Sequence, residues 1–152
     1  MDPKAFTDVL YVALTLFGEA RGEPDEAKRL IAWDIRNRKE AKGYPKTYPE
    51  VVTQHAQLKS GKTVWQFSCW DPSDPNRLRM SDPMAGPVLE DEAWYACVRI
   101  AQEVIEAPPE ANPIPGTLHY HDTSVATPSW AQGLEAFTMP GAPKFVFYRK
   151  GV

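Results

Sequence analysis

The sequence predicts an α+β fold, dominated by helices and carrying a small β element. Three long segments repeat apolar residues at helical spacing, two short segments near the C-terminus read as strands, and proline-rich stretches separate them. The 152 residues suffice to bury one core, so a single domain spanning residues 1–152 is expected.

The first helix is expected from Lys4 to Ala20, with Phe6, Val9, Leu10, Ala13, Leu14 and Phe17 facing the core. Gly22 and Pro24 break it, and Pro24 suits the first position of a second helix, where Asp25 and Glu26 meet the positive end of the dipole. That helix is expected to reach about Lys42, with Ala27, Leu30, Ile31 and Ile35 inward, Arg29, Arg36 and Lys39 outward, and Gly43 as its stop. A turn and a short helix from Pro49 follow in "YPKTYPEVVTQ". "LKSGKTVWQFSCW" reads as a loop entering an extended segment through Val64, Phe67 and Trp70, and "DPSDPNRLRMSDPMAGP" as a long loop. From Pro87 to Glu106 the helical period returns through Val88, Ala93, Trp94, Cys97, Ile100, Ala101 and Val104. "APPEANPIPG" is irregular, and "TLHYH" and "KFVFYR" are the strands.

Composition narrows the class. Apolar residues at 43% and charged residues at 24% describe a globular chain, not a disordered one. A formal charge of −3 and a pI near 5.6 lack the electrostatic footprint of a nucleic-acid binder. No apolar run approaches the roughly 20 residues that span a bilayer. The opening "MDPKAFTDVLYVALTLFGEA" has an early aspartate and no basic region before its apolar stretch, so it reads as a core helix and not a signal peptide. If the protein acts outside the cytoplasm, something else must release it. Two cysteines, Cys69 and Cys97, are too few for a disulfide scaffold and suit a reducing compartment, though one bridge between them stays open.

Three chemistries compete. His119 and His121 alternate on a strand as zinc ligands can, but His55 is the only other histidine and HExxH is absent. Cys69 in "QFSCW" is a candidate nucleophile with only distant histidines. Neither a GxSxG elbow nor a glycine-rich phosphate loop occurs. The third is carboxylate chemistry: in "LFGEARGEPDEA" an apolar helix runs directly into Glu19, with Glu23 four residues on. A carboxyl at a helix C-terminus beside Phe17 is held protonated by the dipole and by burial, as general-acid cleavage of a glycosidic bond requires. Pairing of Glu19 with Arg21 or a second-helix arginine is the structural alternative. Gly18 and Gly22 are expected to turn the chain away and leave room for a sugar.

"FGEARGEP", "IAWDIRNR", "YPEVV", "WQFSCW", "LHYHDTSVATPSWA" and "KFVFYR", in this order across nearly the whole chain, resemble the SleB-type cell wall hydrolases, the spore-cortex-lytic enzymes and their phage and bacterial relatives. The resemblance implies a lysozyme-like α+β fold and cleavage of peptidoglycan between N-acetylmuramic acid and N-acetylglucosamine, without cofactor or metal. The first glutamate of the GEARGE block, Glu19, is then the catalytic acid. In the lytic transglycosylase mode it protonates the bridging oxygen, then takes the proton of the muramoyl C6 hydroxyl as a 1,6-anhydro ring closes.

The resemblance places Gln66, Phe67 and Ser68 on one wall of a glycan groove and His119, Tyr120 and His121 on the other, with Trp70 and Trp130 stacking on sugars. Tyr120 is the candidate for steadying the transition state, while Glu23 and Arg21 support. Arg36, Asn37 and Arg38 are expected to support the second helix and the glutamate loop. The family's spore members carry a signal peptide and a wall-binding module, so this chain looks like a monomeric phage endolysin, made in the cytoplasm and released by a holin or by lysis. A hydrolytic muramidase of wall remodelling, a metal-dependent amidase and a non-catalytic glycan-binding module are the alternatives.

Overall fold

The computed structural model describes residues 2–85 and 88–150. Helix α1 spans Pro3–Ala20, capped by the Asp2 carboxylate, which accepts the Ala5 N–H at 2.8 Å. Its buried stripe is Val9, Val12, Ala13, Leu16, Phe17 and Ala20. Phe6 precedes the first buried position and Leu10 lies at the stripe's edge, so both are exposed, contrary to the expectation from spacing. Thr15 is fully buried; its hydroxyl donates to the Tyr11 carbonyl at 2.8 Å and accepts the Trp70 indole N–H at 2.9 Å.

Helix α2 covers Asp25–Glu40, with Pro24 as the cap residue rather than the first helical one. It ends two residues before Lys42, and Gly43 adopts φ +87° in the turn that follows. Arg36 is buried and not outward. Its guanidinium donates to the Val104 and Ala107 carbonyls at 2.9 and 2.6 Å, which caps the end of helix α5 (Val88–Glu106). Burial is tolerable there because those carbonyls have no partner inside their own helix. Pro87 and the side chain of Val88 lie outside the described residues; the rest of the apolar pattern of α5 buries Cys97, Ile100, Ala101 and Val104 against α1 and α2.

A short helix α3 spans Tyr48–Val52, capped by Thr47. An antiparallel hairpin of β1 (His55–Gln57) and β2 (Thr63–Trp65) follows, turning through Gly61 at φ +88°. Strand β1 escaped the sequence reading because its three residues are exposed and carry no alternation. Val64 lies in β2 and the Phe67 backbone is extended, as expected, but Trp70 is not: Ser68–Trp70 forms a 3-10 turn that buries Cys69 and Trp70. The stretch read as a long loop contains helix α4, Pro75–Ser81, started by Asp74 accepting the Asn76 N–H at 2.8 Å. Proline at a first helical turn and aspartate before it are start signals that the loop-like composition concealed.

The C-terminal third forms an antiparallel sheet in the order β3 (Thr117–Asp122), β5 (Phe145–Lys150), β4 (Leu134–Phe137). The helix-dominated α+β class with small antiparallel sheets is therefore as expected, with β4 as an addition. Phe145 and Phe147 point into the helical core, whereas Tyr148 is covered on the outer face by His121 and Trp130. Asn37 ties α2 to the sheet, donating to the Ile114 and Thr117 carbonyls at 3.0 and 2.8 Å. Among the described residues no helix is long and apolar enough to cross a membrane.

Candidate active site

Helix α1 carries Glu19 in its last turn, half-buried, where backbone carbonyls accumulate negative potential. The approach of this turn to the 3-10 turn depends on Gly18. A Cβ there would lie 2.6 Å from the Cys69 Cβ, 2.8 Å from its Sγ and 2.7 Å from the Met80 Sδ. Gly18 thus serves close packing inside the helix, and the expected room for a sugar does not come from it. Gly22 has open space around its Cα.

Burial raises the Glu19 pKa, and the nearby Asp74 carboxylate adds to the rise. Hydrogen bonds offered by the Cys69 thiol and backbone N–H oppose it, as does the Arg38 charge. The Cys69 thiol is in turn pushed far up by burial and by Glu19. A thiol so held stays protonated and is a poor nucleophile. Cys69 and Cys97 are both free.

Glu19 opens onto a cleft of about 200 Å³. Trp65 contributes from the end of β2, Gln66 and Ser68 from the segment after it, and Tyr120, His121 and Asp122 from β3. Arg38 reaches the same cleft from α2, donating to the Leu118 carbonyl at 2.7 Å and to the Gln66 Oε1 at 3.3 Å. Its Nε also lies 3.1 Å from the Oδ2 of Asp34, which is wholly buried. Burial lifts the Asp34 pKa to about 6, with Arg38 pulling the other way. Arg38 also lies over the Phe67 ring, 4.9 Å from its centroid. Glu19 further borders a depression of about 330 Å³ together with Arg21, Glu23 and Asn76.

The structure therefore brings Glu19, Gln66, Ser68 and Tyr120 around one cleft, and His121 borders it although its ring turns away. Phe67 is buried, 6.4 Å from the Tyr120 ring, and backs that wall. Tyr120 packs edge-on to Phe145 at 5.6 Å; burial and the Glu19 charge hold its hydroxyl far above its usual pKa, so it stays a neutral donor. Trp70 stacks on Tyr11 at 5.4 Å with its N–H spent on Thr15, so it is core packing and offers no face to a sugar. His119 does not share the cleft. Strand alternation turns it to the outer face, 5.1 Å from Trp130 and with its Nε2 3.5 Å from the Tyr44 hydroxyl. The His121 ring also turns there, stacked 5.5 Å from Tyr148. The HYH block thus divides: Tyr120 faces the glutamate, while the two histidines and Trp130 share an aromatic layer behind it. Among the described residues no three of His, Cys, Asp and Glu gather as metal ligands do.

Arg21 bonds to the Asn76 Oδ1 at 2.8 Å, while Glu23 pairs with Lys144 at 3.3 Å rather than with Arg21. The sequence reading gave Arg38 only a supporting part and passed over Asp34, Trp65 and Asp122. The four-residue spacing of Asp34 and Arg38 signalled a shared helix face. Asp122, two residues beyond Tyr120, had to point to the same side of its strand.

No curated protein and no solved structure matches the chain. The model of the Cell Wall Hydrolase family matches residues 22–148, which takes in both walls of the cleft and begins after Glu19. Across more than half its length, then, this chain belongs to the cell wall hydrolase family.

Proposed function

We propose that the protein cleaves peptidoglycan glycan strands between N-acetylmuramic acid and N-acetylglucosamine as a lytic transglycosylase, with Glu19 as acid and then base. One observation carries this reading: a carboxyl whose pKa burial raises lines two cavities, so a strand laid through both presents a bridging oxygen to it. Glu19 gives its proton to that oxygen as the C1–O bond breaks. The resulting carboxylate then accepts the C6 hydroxyl proton while O6 bonds to C1, so water is not consumed. The neutral Tyr120 hydroxyl and the Gln66 amide supply donors along the cleft.

The hydrolytic muramidase is the second reading, favoured by Asp122. Its Oδ1 accepts the Ser124 N–H at 2.8 Å, which leaves the other oxygen to orient a water.

The pH profile tests the role of Glu19. Only the protonated form can start the reaction, so kcat/KM is expected to hold below the raised Glu19 pKa and to fall as pH rises through it. Activity that climbs steadily towards alkaline pH would remove Glu19 as the acid.

A further inference from the structure

The hairpin β1–β2 projects from the helical body and presents two aromatic rings. His55 and Trp65 face each other across the strands, with ring centroids 4.4 Å apart and planes 29° from parallel. His55 is exposed, whereas Trp65 is half-buried and packs against the edge of the core. Both rings line a cavity of about 560 Å³, with Lys62, Asp71 and Ser73 as polar partners. Trp65 also lines the Glu19 cleft, and Glu19 lines the depression beyond it. Trp65 is thus common to the first two cavities and Glu19 to the second and third, which places the three side by side.

We infer that the His55–Trp65 pair and its cavity are a remote subsite that holds a further sugar of the glycan strand whose scissile bond lies at Glu19. This rests on the glycosidase reading. The chemistry fits a saccharide: an indole or imidazole face covers the apolar C–H face of a pyranose, and polar groups around the rim meet its hydroxyls. The His55 ring is held in one orientation by its Nδ1, 2.9 Å from the Thr53 carbonyl. A carbonyl only accepts, so Nδ1 is the donor in this contact and Nε2 is left to face a ligand. Asp71 is fixed by the Ser73 N–H and hydroxyl at 2.9 and 2.8 Å. A hairpin of three-residue strands has little stability of its own, and cross-strand stacking also contributes to it, so the test must separate binding from support.

The test uses the full chain carrying Glu19→Gln, titrated calorimetrically with peptide-free glycan strands of one to eight disaccharides. Affinity is expected to rise with length until the strand reaches the hairpin. Adding Trp65→Ala is expected to remove that gain, weakening Kd for the longest strands about ten-fold, while one disaccharide is affected much less. His55→Ala provides the same reading should Trp65→Ala disturb the fold. Length dependence that survives both substitutions, or an equal loss at every length, would overturn the subsite. Strands that bind with this pattern yet remain uncut by the parent chain would instead overturn the glycosidase reading and leave the subsite standing.

Discussion

Glu19→Gln is expected to lower the turnover of purified sacculi by about 1000-fold, from the loss of a general acid for which the site offers no substitute. The fold should be kept. The amide retains an oxygen to accept from Cys69 and carries no charge to bury, so Tm should not fall. The sign follows from linkage. A carboxyl whose folded pKa lies above its unfolded value contributes stability that is present at low pH and lost as pH rises through the folded pKa. At neutral pH the uncharged glutamine avoids that loss. Turbidity clearance of sacculi beside a thermal melt checks both halves, and clearance at more than a few per cent of the parent rate would end the assignment.

Arg38→Met is expected to have the largest effect on stability. Asp34 is wholly buried and its carboxylate faces the Arg38 guanidinium, while its Oδ1 has no hydrogen-bond partner among the described residues. Removing the cation leaves a buried charge uncompensated, which costs about 3–5 kcal/mol. For a chain of this length that is a fall in Tm of about 10 °C. Gln66 and the Leu118 carbonyl lose their donor as well, so activity should fall further than the loss of folded protein explains. The stability cost depends on pH in a defined direction. Asp34 has a folded pKa of about 6 against an ordinary 3.8, so its protonated form is favoured in the native state. Without Arg38 that preference strengthens. The cost should therefore be largest above pH 6 and shrink towards pH 4, where the proton neutralises Asp34 in both proteins. The paired substitution Asp34→Leu with Arg38→Met should recover most of the loss. Equal costs at pH 4 and pH 8 would show that Arg38 acts by packing on Phe67 alone.

What the sequence makes legible follows from the range of the interactions involved. The apolar stripes of α1, α2 and α5 repeat within the helix that they describe, so the α+β class and most of the core can be read directly. The block around Glu19 is legible because a carboxylate after Leu16 and Phe17 contradicts simple solvation. Long-range partnerships are not legible in that way. Arg36 reads as a surface cation until the carbonyls at the end of α5 arrive beside it, and Trp70 reads as a sugar platform until Tyr11 and Thr15 cover it. The HYH block shows the limit most clearly. Alternation says that Tyr120 and its neighbouring histidines face opposite sides, but only the packing of Tyr120 on Phe145 and Phe147 says which side meets Glu19. Helix α4 and the hairpin were missed for a related reason: they are short and polar, and are set by caps and a turn rather than by periodicity.

The most direct test of the central claim is mass spectrometry of the soluble products released from purified sacculi. The account predicts muropeptides whose glycan ends in 1,6-anhydromuramic acid, lighter by one water than the reducing form. Reducing muramic acid ends would contradict transglycosylation and move attention to Asp122 as the group that orients water. Intact glycan strands with freed stem peptides would contradict glycan cleavage altogether.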